Sequence, residues 1–212
     1  MISAMMPNSS DDAQSLRTEI AVLAARLIAQ DGADYGSAKR KAARQILGER
    51  PAAANLLPDN TLIENEVRLY NALFLADSQP QRLRQLRLLA LQVMDALAAY
   101  QPLLAGAVLN GTAGPHDEIH LLLFADSAKE VEIFLLNKNM VIDISETAHF
   151  KGPRYDAVET VSFLWSNEGV HAALYQLDDR RGALKARDGK LVRADSDGLR
   201  ALMAAEDAAT GV

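Results

Sequence analysis

The spacing of apolar residues changes once along this 212-residue chain, near Pro102, and that change restricts the fold to helices first and strands second. Before it, Leu16, Ile20, Leu23 and Leu27 recur at steps of four, three and four, which sets them on one face of a helix stopped by Gly32. A second helix is expected over 37–47, closed by Gly48 with Pro51 beyond. A third begins near Thr61, which precedes Glu64 in capping-box spacing, and carries Ile63, Val67, Tyr70 and Phe74 as its stripe. A fourth occupies 80–99, with Ser78 and Gln81 as cap, Pro80 in the first turn, and Leu83, Leu86, Ala90, Val93 and Leu97 facing inward.

After Pro102 short apolar runs separated by turn residues read as strands at 104–109, 118–125, 130–136, 140–145, 158–165 and 170–177. The connections "ADSAKE", "NKN" and "SNEG" are too short for parallel crossovers, so most neighbours are expected to be antiparallel. A polar stretch follows Leu177, and a last helix is expected over 196–206, started by Ser196 or Asp197. The fold class is α+β: a helical N-terminal half, then a mostly antiparallel or mixed sheet. The expected organisation is a helical region over 1–78, a core over 79–178 and a C-terminal polar segment with a helix over 179–212.

Apolar residues make up 49% of the chain and no run approaches the roughly 18 needed to span a membrane, so no membrane association is expected. The start lacks a basic flank followed by an apolar run, and there are no cysteines, which implies a cytoplasmic location. The charge of −6 gathers in the second half: residues 1–100 hold 11 Lys and Arg against 11 Asp and Glu, residues 101–212 hold 11 against 17. That distribution argues against a nucleic-acid platform. The cluster Lys39, Arg40, Lys41, Arg44 and Arg50 reads as a solvated helix face, with contact to an acidic partner or RNA as its functional counterpart, the RNA reading weakened because no aromatic residue interleaves the charges. Ser162 and Ser166 lack the Gly-x-Ser-x-Gly elbow of many serine hydrolases. Lys151, Arg154 and Tyr155 sit in a loop, His149 has no evident partner, and His171 shares a strand face with Ala173 and Tyr175.

The stretch "NGTAGPHDEIHLLLF", Asn110 to Phe124, holds His116, His120, Asp117 and Glu118. Gly114-Pro115 before the histidines and "LLLF" after them favour a strand over the helix that a His-Glu-x-x-His zinc site requires. On a strand, Glu118, His120, Leu122 and Phe124 point one way and Ile119, Leu121 and Leu123 the other. If 130–136 pairs as the next strand, Glu132 comes beside Glu118 and His120. A charged pair at the start of a strand with apolar residues beyond it suggests a sheet end that carries a site.

Over residues 80–136 this arrangement resembles the nucleotidyltransferase superfamily, in which a helix and strand lead into a Gly-Ser or Gly-Gly turn, followed by Asp-x-Asp and a distant third Asp. The corresponding elements are the helix 80–99, "LLAGAVLN", Gly111-Thr112, Glu118-Ile119-His120 and Glu132. The resemblance implies nucleotide binding, with phosphate held by the amides of Gly111 and Thr112 and catalysis carried by Glu118, His120 and Glu132. It implies magnesium on Glu118, Glu132 and His120, or manganese or zinc, since His120 stands where the family has its second Asp. The whole chain also resembles a group of bacterial proteins with a helical N-terminal half and the same Gly-Thr to Ile-His-Leu segment, a group that brings no established activity. The residues alone leave open a structural turn and strand, a working or residual transfer site, and a pocket that binds nucleotide without turnover. The helical half remains open as a protein-interaction module.

Overall fold

Alanine decides how the first three helices pack. The structure, a computed structural model, describes residues 9–48, 53–184 and 192–210. These fall into two units, Met1–Pro80 with Gly114–His116, and Gln81–Ala113 with Asp117–Val212. In the first unit α1 (Ser9–Asp31), α2 (Tyr35–Leu47) and α3 (Asn60–Phe74) bury Ile20, Ile28, Ile63 and Val67 among Ala21, Ala24, Ala38 and Ala42. Small side chains let the backbones approach, so a modest apolar stripe suffices. Gly48 closes α2 at φ 78°; Arg50 and Pro51 lie outside the described residues, as do 185–191 of the polar C-terminal stretch.

In the second unit α4 (Gln79–Ala96) leads to β1 (Leu103–Ala105), α5 (Ala107–Asn110), β2 (Ile119–Ala125), α6 (Ala128–Asn137), β3 (Ile142–Thr147), β4 (Val158–Trp165), β5 (Glu168–Gln176), β6 (Arg193–Ala194) and α7 (Ser196–Thr210). The sheet order is β3-β4-β5-β2-β1-β6, with β2 and β5 parallel and the other pairs antiparallel. The α+β reading holds, and the sheet is mixed. Period-2 alternation splits its faces as the sequence requires. Leu121, Leu123, Val161, Phe163, Val170 and Ala172 form one core with Leu86, Ala90 and Val93 of α4, Val131 and Leu135 of α6, and Leu199 of α7. On the opposite face Leu103, Leu122, Phe124, Ala173 and Tyr175 form a smaller cluster. No described helix is long and apolar enough to cross a membrane.

Several expectations are corrected. Residues 130–136 are helical, within α6, and 104–109 divides into β1 and α5. "KEVEIFLLN" satisfies both periods: Val131, Ile133 and Leu135 alternate, while Val131, Phe134 and Leu135 share a helical stripe. The tertiary fold chooses, because β5 occupies the edge of β2 that a strand at 130–136 would need. The chain after β2 therefore crosses to the far edge of the sheet, and it crosses as a helix that buries Val131 and Leu135. Two caps also move. The α3 cap is Asp59, which accepts from the Leu62 amide at 2.8 Å, rather than Thr61. At α7 the Asp195 carboxylate accepts from the Gly198 amide at 2.9 Å, one residue before the expected Ser196 or Asp197. In both cases the side-chain oxygen reaches the third amide on, as an N-cap does.

The β4–β5 hairpin turns through Ser166 and Asn167, both at positive φ, the two-residue turn whose twist suits a hairpin. Just beyond it Glu168 receives both arms of Arg82, at 2.5 and 2.7 Å. These bonds hold the Glu168 carboxyl below its ordinary pKa, with burial opposing and the Arg82 charge assisting. A depressed carboxyl stabilises the fold above its unfolded pKa of about 4.3 and loses that contribution as pH falls through the folded value. Glu168→Gln is expected to cost about 1–3 kcal/mol at pH 7. Urea titrations from pH 7 down to 3 should show wild type and variant converging, and a difference independent of pH would rule out this linkage.

Candidate functional site

The opening pattern of β2 is repeated in β5. "HLLLF" and "HAALY" each place a histidine, then two positions on a same-face apolar residue, then an aromatic residue. Parallel pairing aligns them in register, His120 with His171 and Phe124 with Tyr175. The second sheet face therefore has an aromatic end and an imidazole end.

At the imidazole end the rings of His120 and His171 stack with centroids 4.9 Å apart and 19° between planes. Ser162, directly across from His171 on β4, brings its hydroxyl to 2.8 Å from Nδ1. The other nitrogen, Nε2, meets the Glu118 carboxylate. An ionised carboxylate only accepts, so in the neutral ring Nε2 carries the proton and Nδ1 accepts from Ser162. Glu118 can lie there because residue 169 is glycine: a Cβ at that position would stand 2.2 Å from Glu118 Oε1. Desolvation and then the neighbouring His171 push the His120 pKa below the usual histidine value, with Glu118 opposing. The His120 ring nitrogens make no hydrogen bond among the described residues. Asp143 of β3 stands opposite Ser162.

The residues expected to form the site divide. Glu118 and His120 are neighbours at the head of β2, as the alternation implied. Glu132 lies on α6, near Glu159 rather than Glu118; burial and then the Glu132 charge raise the Glu159 pKa. Gly111 closes α5 at φ 85°, and the amides of Gly111 and Thr112 both donate to the Ala107 carbonyl, at 3.0 and 3.1 Å. Those amides are engaged inside the turn. His116 packs in the first unit, its Cβ 2.8 Å from where a Cβ on Gly32 would be.

Sequence reasoning weighed Ser162 and His171 but gave neither a site role, and it passed over Gly106 and Gly169. The repeated "HLLLF" and "HAALY" pattern was the available signal for His171. Gly106 follows β1 directly, at φ 74° and ψ −155°, a conformation open essentially to glycine alone, and its missing side chain faces His120 at 3.8 Å. His149 also gains partners: its Nε2 lies 3.4 Å from Asp179, its Nδ1 accepts from the Lys151 amide at 3.0 Å, and Lys151 pairs with the same Asp179. Thirty residues separate His149 from Asp179, so no local pattern announces the pair.

Among the described residues no group of three or more His, Asp or Glu side chains is arranged to hold a metal ion. A groove of about 400 Å³ in this unit runs along α4 past Arg84, Leu88 and Ser166 and does not include the Glu118, His171 and Ser162 side chains. Comparison with known protein families, curated proteins and solved structures finds no match to this chain.

Proposed function

We propose that the second unit is a nucleotidyltransferase-like domain whose site binds a nucleotide, carried with its own divalent cation, at Glu118, His120 and His171. The observation that supports this reading is the parallel, in-register pairing of β2 and β5. It supplies a third titratable side chain beside the Glu-x-His pair, from a distant strand, as the superfamily pattern requires of its third acid. His171 rather than Glu132 takes that place. The strand that leads into a glycine turn is β1, and the glycine is Gly106.

The donor set does not suit two resident magnesium ions, which require several hard carboxylate oxygens. One carboxylate and two imidazoles are present, and both nitrogens of His171 are engaged. The reading is accordingly one of binding, with no metal-assisted transfer step assigned.

Thermal unfolding with nucleoside mono-, di- and triphosphates, each with magnesium, manganese, zinc or chelator, tests it. A metal-dependent rise is expected in wild type and Glu132→Ala and is lost in Glu118→Ala and His171→Ala. At a hundredfold excess over Kd the stabilisation is about 2.7 kcal/mol. No rise with any combination, from folded protein, would reject nucleotide binding.

A further inference from the structure

We propose that Ser162, His171 and Glu118 form a nucleophilic relay, in which the Ser162 hydroxyl attacks the carbonyl of a neutral or cationic ester. It uses side chains of the same sheet face but requires neither nucleotide nor metal.

A cross-strand serine–histidine bond alone is ordinary sheet chemistry, because directly paired residues have Cβ atoms about 5 Å apart. Three further features make this one a relay. The histidine's second nitrogen is bonded to a carboxylate from outside the strand pair, which fixes the tautomer that leaves Nδ1 free to take the serine proton. That carboxylate occupies space kept clear by Gly169. The His171 side chain is 31% exposed, so water and substrate reach it.

The strand amides around Ser162 belong to an interior strand paired on both sides, so donors for a tetrahedral oxygen must come from a side chain. His120, stacked on His171 and with no hydrogen bond to its ring nitrogens among the described residues, is placed to give an N–H. Asp143 and Glu118 flank the serine and histidine with negative charge, which disfavours an anionic substrate that carries no cation of its own.

In the first step the Ser162 proton passes to His171 Nδ1 as the Oγ–carbon bond forms. The ester C–O bond then breaks, and the departing alcohol takes the proton from His171. Water, deprotonated by His171, attacks the acyl-serine and releases the acid and the free hydroxyl. Glu118 acts as a positioning residue that orients the ring and favours its charged form.

The test is covalent labelling of the full chain with a serine-directed fluorophosphonate, read by peptide mass spectrometry, with circular dichroism to check folding. A single adduct is expected on Ser162, absent in Ser162→Ala. Labelling should slow about 100-fold or more in His171→Gln, the usual loss of a general base. Glu118→Gln and Gly169→Ala should both slow it, and Glu118→Asp should recover part of the rate, which a purely structural role would not produce. Adducts scattered over other hydroxyls, or Ser162 labelled at the wild-type rate in Glu118→Gln, would overturn the proposal. Glu118 is exposed and precedes β2, so this variant keeps the test available if His171→Gln does not fold.

Discussion

Arg87→Ala is expected to destabilise the second unit by about 3–4 kcal/mol, because it leaves two buried carbonyls without donors and removes a packed side chain. The Arg87 side chain is only 2% exposed and lies on the core face of α4. Its Nε donates to the Val108 carbonyl at 2.9 Å and its Nη2 to the Leu109 carbonyl at 3.2 Å. Both carbonyls lie at the C-terminal end of the four-residue α5, too short a helix to satisfy them itself. The third guanidinium nitrogen pairs with Glu206 of α7. Glu206 is 49% exposed, so Glu206→Gln should cost about 1 kcal/mol or less. Urea unfolding measures both: the Arg87→Ala midpoint should fall with little change in slope. A loss below 1 kcal/mol for Arg87→Ala would show that water or a shifted backbone satisfies the α5 carbonyls.

Phe124→Ala should cost about 3–5 kcal/mol, the range for deleting a buried aromatic side chain. Phe124 is fully buried among Leu103, Leu122, Ala173 and Tyr175, with the Arg180 guanidinium 5.6 Å above its ring. Phe124→Leu keeps most of the volume and should lose less than about 1.5 kcal/mol. If both variants lost little, the second sheet face would be a decorated surface rather than a core. The comparison also bears on the imidazole end, since His120 and His171 stand two positions before Leu122 and Ala173 of that cluster.

Much of the architecture is legible along the chain. The four N-terminal helices, the β4–β5 hairpin and the alternation of β2 all follow from local periodicity and turn chemistry. The neighbouring positions of Glu118 and His120 follow from the same alternation. A nine-residue run such as "KEVEIFLLN" does not decide itself, because its apolar residues satisfy both periods. Glu132 was expected beside Glu118 only because that run was read as a strand, and one change of element moves its carboxylate to Glu159.

The sequence by itself determined which residues face inward, where the chain turns, and that helices precede strands, because these depend on neighbours within about four residues. Tertiary structure decided the partners. Fifty-three positions separate Glu118 from His171, and 119 separate Arg87 from Glu206. Such pairs depend on strand order, here the insertion of β5 beside β2, and strand order is set by burying both faces of the whole sheet at once.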